Sequence, residues 1–115
     1  MDTISEKAYQ ARAFPELSLL VEALDVFSDE LFAELGGDVL TIEFTDQVRY
    51  VINSHLAARQ IWLAAERSAW HFDYDEARDQ WIDRRTGAEL WAKVQDLLAR
   101  KLSRPVTFER SAKPG

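Results

Sequence analysis

Between residues 39 and 84, apolar and polar side chains alternate in short runs. That period of two constrains the fold more than any other feature of the chain. Leu40, Ile42 and Phe44 oppose Thr41 and Glu43, and Val48, Tyr50 and Ile52 oppose Arg49, Val51 and Asn53. Ile61 and Leu63 oppose Gln60 and Trp62, while Trp70, Phe72 and Tyr74 oppose His71, Asp73 and Asp75. Strands are therefore expected over 39–45, 48–53, 60–65, 70–75 and 80–84, with 31–35 as a further short one. Asp46-Gln47 reads as a two-residue turn and 54–59 as a loop. Connections this short make neighbouring strands antiparallel.

Helical spacing flanks the alternating region. Leu17, Leu20, Val21, Leu24 and Phe27 form one apolar stripe, and Pro15 suits a first helical turn or kinks a longer helix. Thr86-Gly87-Ala88-Glu89 matches a capping box, with Thr86 as N-cap. The helix beyond it carries Leu90, Trp91, Val94, Leu97, Leu98 and Leu102. Two apolar stripes and one apolar sheet face predict an α+β fold: a two-layer sandwich of two helices on one face of a five- to six-stranded antiparallel sheet. A single domain over 1–115 is expected, with 1–13 a weak, loose lead-in and 109–115 a loose end.

A net charge of −6 argues against nucleic acid and anionic membranes, and for cations or a basic protein partner. The chain has no cysteine, which excludes disulfides, thiolate metal sites and a thiol nucleophile. No apolar run is long enough to span a bilayer, and the N-terminus lacks the pattern of a secretory signal. A cytoplasmic protein is expected.

Three groups of residues draw attention. Trp62 stands opposite Ile61 and Leu63, so it is either an aromatic anchor on the open sheet face or a ring covered by a loop or helix. Glu22, Asp25 and Asp29, at i, i+3 and i+7, fall opposite the apolar stripe of the first helix. Such hard oxygen ligands suit Fe²⁺, Fe³⁺, Mn²⁺ or Ca²⁺. His71 and Asp73 share a strand face, but no motif completes a catalytic set around them. His55 falls in a loop and has no partner in sequence.

The ordered segments 39–44, 50–53, 60–63 and 71–74, followed by Trp81 and Arg85-Thr86-Gly87, resemble the frataxin family in its bacterial form. The resemblance runs from about residue 5 to residue 108. It implies an iron-binding regulator or iron chaperone of iron–sulfur cluster assembly that acts on a cysteine desulfurase and its scaffold protein. It further implies weak iron binding by surface carboxylates, here Glu22, Asp25, Asp29, Glu30 and Glu34. The region offers Glu16 as well, and its acidic ridge is thinner than is usual in the family. Asn53, Gln60, Trp62 and His71 match the positions that meet the assembly complex. No catalytic residue, no nucleic-acid or membrane partner, and a monomer are expected. Other classes are an iron-oxidising or iron-storing protein, and a metal-independent binding module.

Overall fold

Ser5 starts the first helix by accepting a hydrogen bond from the Ala8 amide at 3.2 Å, which satisfies one of the helix's free N–H groups. The structure, a computed structural model, describes residues 4–110. Helix α1 spans Glu6–Leu24 and continues through Pro15. The proline cannot donate to the Ala11 carbonyl, yet burial of Tyr9, Ala13, Leu17, Leu20 and Leu24 holds the helix on both sides of it. The segment 6–13, expected to be a loose lead-in, is thus the first half of α1. Residues 1–3 and 111–115 lie outside the described residues. A single 3₁₀ turn, Asp25–Phe27, closes α1.

Six strands follow: β1 (Leu31–Gly36), β2 (Val39–Phe44), β3 (Arg49–His55), β4 (Gln60–Ala65), β5 (Ser68–Asp75) and β6 (Gln80–Ile82). They pair in sequence order, every neighbour antiparallel. Helix α2 (Leu90–Leu102) completes the expected two-layer α+β sandwich. Leu40, Ile42, Ile52, Ile61, Leu63, Phe72 and Trp81 point from the sheet into the helix layer and are almost wholly buried. Among the described residues no helix is long and apolar enough to cross a membrane.

Three local details differ from the sequence reading. The β2–β3 connection is a three-residue loop, closed by Phe44 N–H donating to the Val48 carbonyl at 2.9 Å. Gln47 takes the left-handed position (φ 73°) that such a loop needs. Strand β3 extends to His55, so the following turn is shorter than the loop expected over 54–59. The N-cap of α2 is Glu89, whose carboxylate accepts from Trp91 and Ala92 N–H. Thr86 instead accepts from the Ala88 amide, one turn earlier in a loop that Asp83 organises. Buried Asp83 accepts from the amides of His71, Arg85 and Thr86.

Candidate functional site: an aromatic slab on the open sheet face

Register places Asn53, Trp62 and His71 side by side on β3, β4 and β5. The next row is His55, Gln60 and Asp73. Because Ile61 and Leu63 are buried, Trp62 stands on the opposite, uncovered face, half-buried by its own neighbours. His55 stacks on one side of the indole, with ring centroids 3.8 Å apart and planes 13° apart. His71 stacks on the other side at 4.3 Å and 16°. The three rings form a slab standing on the sheet.

Hydrogen bonds fix the slab. Trp62 Nε1–H donates to Gln60 Oε1 at 2.9 Å, and Gln60 Nε2–H donates to Asp73 Oδ1 at 3.2 Å. Arg84 lies 3.5 Å from the other oxygen of Asp73. His55 Nδ1 accepts from the Ala58 amide, which leaves Nε2 to carry the proton of the neutral ring. Asn53 donates to the neighbouring Ser54 carbonyl.

The slab is tied to the helix layer by Tyr9. Its hydroxyl accepts from His55 N–H at 2.9 Å and donates to the Gln60 carbonyl at 2.8 Å. It thereby bridges the last residue pair of the β3–β4 ladder. Burial, the largest influence on this phenol, raises its pKa and keeps it in the protonated form that the bridge needs. A helical residue four turns from the acidic end of α1 thus sets where His55 and Gln60 sit.

The four sheet residues singled out in the sequence, Asn53, Gln60, Trp62 and His71, come together on this face. His55 is the one that sequence reasoning missed. Its signal was the register: two residues beyond Asn53 on the same strand face, provided that β3 continued past Asn53. With both faces of its ring covered and its N–H used, Trp62 offers a partner its outer edge. Around that edge stand the Asn53 and Gln60 amides and two imidazoles, with the Asp73–Arg84 pair beyond Gln60. The result is a surface with a clamped aromatic centre and hydrogen-bonding groups beside it.

The carboxylates do not converge in the same way. Helix α1 ends at Leu24, so Glu22, Asp25 and Asp29 do not share one continuous helix face. Those three and Glu34 are exposed. Glu30 is hydrogen-bonded by Arg104, which lowers its carboxyl pKa. Glu16 is buried, accepting from Trp91 Nε1 and from Arg110 Nε. Among the described residues no group of three or more His, Asp or Glu side chains could hold a metal ion together. As donors for a resident metal centre these residues do not fit. What they supply is a diffuse negative field.

Residues 2–104 match the frataxin-like domain family. This chain belongs to that family. The frataxin relatives include the iron-sulfur cluster assembly protein CyaY of Dechloromonas aromatica, 33% identical over 94% of this chain and 99% of that one. The protein of the same name from Paraburkholderia xenovorans is 30% identical over 92% of this chain and 99% of its own. The structure of frataxin from Psychromonas ingrahamii shares the fold, with a TM-score of 0.82 at 23% identity, covering 92% of this chain and 99% of that one. Trimeric yeast frataxin superposes with a TM-score of 0.69 at 25% identity, over 90% of this chain and 84% of the other.

Proposed function

We propose that this chain is a non-enzymatic regulator of iron–sulfur cluster assembly that docks a cysteine desulfurase–scaffold complex through the open face of its sheet. The relatives' shared name, iron-sulfur cluster assembly protein, supports the process. The clamped Trp62 slab is the observation that carries the docking surface. Its composition, one immobilised aromatic within hydrogen-bonding groups, is that of an interface hot spot. Iron is cargo in this reading, held loosely in the field of Glu22, Asp25, Asp29 and Glu34, with affinity that falls as salt rises. The slab supplies the contact, and the acidic flank steers the chain towards a basic partner patch. The reading places the protein in the cytoplasm.

Affinity of the Trp62→Ala variant for the desulfurase–scaffold complex tests this. Binding should weaken by about 2 kcal/mol or more. Folding stability should fall by only about 1 kcal/mol, the worth of the lost stacking. Full affinity in a well-folded variant refutes the docking surface.

A further inference from the structure

A groove lies away from the slab, at the edge of the helix layer. It encloses about 590 Å³ between α2 and the β4–β5 turn. Ala65, Trp70 and Leu97 supply apolar parts of its lining. Four cations line it, Arg67, Lys93, Arg100 and Lys101, against two carboxylates, Glu66 and Asp96. In a chain of net charge −6 this local excess of positive charge runs against the whole.

The carboxylates present do not neutralise the cations. Asp96 is shared, 3.6 Å from Lys93 and 3.4 Å from Arg100. Glu66 accepts the Tyr50 hydroxyl. Arg67, exposed at the tip of the turn, has no ion-pair partner among the described residues. Lys101 is held by Asp46 at 2.6 Å. Lys93 lies over the Trp70 ring, 5.1 Å from its centre, so the aromatic and cationic features meet in one place.

We propose that this groove binds an acidic, extended segment of a partner protein, with an apolar side chain on Trp70 and Leu97 and carboxylates on Arg67, Lys93 and Arg100. The cations come from two elements, Arg67 from the β4–β5 turn and Lys93 and Arg100 from α2, beside the apolar parts of Trp70 and Leu97. Cations next to an apolar lining suit a peptide that carries both acidic and apolar side chains. A compact polyphosphate is better served by convergent backbone N–H groups, and the N-terminus of α2 is already capped by Glu89. The groove opens on the helix side of the sheet, so it stays free when the Trp62 face is covered.

The test is an NMR titration of the intact protein with a synthetic peptide of alternating Glu and Leu, beside its Gln-for-Glu analogue and inorganic pyrophosphate. The acidic peptide should give saturable shifts confined to residues 65–70 and 93–101. In R67E/R100E the affinity should drop about tenfold or more, as reversal of two exposed contacts implies. Both arginines are exposed, so this variant keeps the fold. Shifts centred on Trp62, equal binding of the Gln analogue, unaltered binding by R67E/R100E, preference for pyrophosphate or no binding would each overturn the proposal.

Discussion

Trp81 and Trp62 are the same residue type in the same sheet, and they have opposite surroundings. Trp81 points into the helix layer, only 1% exposed, against the rings of Tyr9 and Tyr74. Trp62 points away from it, held between two imidazoles with its edge in water. Strand register alone decides which is which, since each sits at a position of fixed parity against its neighbours. On the covered face the large ring fills volume. On the open face it is immobilised by side chains that are themselves partly or wholly exposed.

The comparison breaks first at Trp81. Trp81→Ala should cost about 3–5 kcal/mol, because it empties a site closed on all sides. A urea midpoint close to that of the unaltered protein would mean that the covered face is not where the stability resides.

A pH titration sharpens the same contrast. Burial pushes the Tyr50 hydroxyl up to about 12, assisted by the Glu66 carboxylate. Burial likewise pushes Tyr74 up to about 12, with Asp79 accepting a hydrogen bond from its hydroxyl. An unfolded chain releases these protons near the ordinary tyrosine value of 10.0. The stabilisation is therefore complete below pH 10 and declines as the pH climbs towards 12. Thermal melts in this range should show a steep alkaline limb, shallower in Tyr50→Phe. A limb unchanged by that substitution would remove Tyr50 as its source.

The smallest expected effect belongs to the open face. His55→Ala removes one side of the indole clamp and should cost about 0.5 kcal/mol of stability, half the cost of losing both stacks. The Trp62 indole should become more mobile, visible in its NMR relaxation. Unchanged relaxation would show that His71 and Gln60 hold the ring by themselves.

Much of this was legible in the sequence, for identifiable reasons. A one-residue shift of register would turn Leu40, Ile42, Ile61 and Leu63 out of the core, so alternation fixed the strands and their faces. Ordered motifs carried the family, and Asn53, Gln60, Trp62 and His71 fell on one face as the parity required. What was not legible depended on distant contacts. Nothing local announces that α1 runs from Glu6 through Pro15, because Tyr9 is anchored by atoms of residues 55 and 60. Glu16 reads as part of an acidic surface until Trp91 and Arg110 arrive from the far end of the chain. The expected helical ridge of Glu22, Asp25 and Asp29 assumed a helix that stops at Leu24. His55 looked solitary because β3 was taken to end before it. Glu89 supplies the N-cap expected of Thr86, and Thr86 stays in the loop between β6 and α2 that the buried Asp83 carboxylate organises.

The central claim is that partner recognition uses the open face and leaves the covered face untouched. Each of the four tryptophans carries one indole N–H, so each can report separately by NMR. Cross-saturation from an unlabelled desulfurase–scaffold complex onto the labelled chain reads all of them in one experiment. The Trp62 signal should lose the most intensity, with the Asn53 and Gln60 side-chain amides beside it, while Trp81 and Trp91 keep theirs. Saturation centred on Trp81, Trp91 or Trp70 with Trp62 spared would contradict the account.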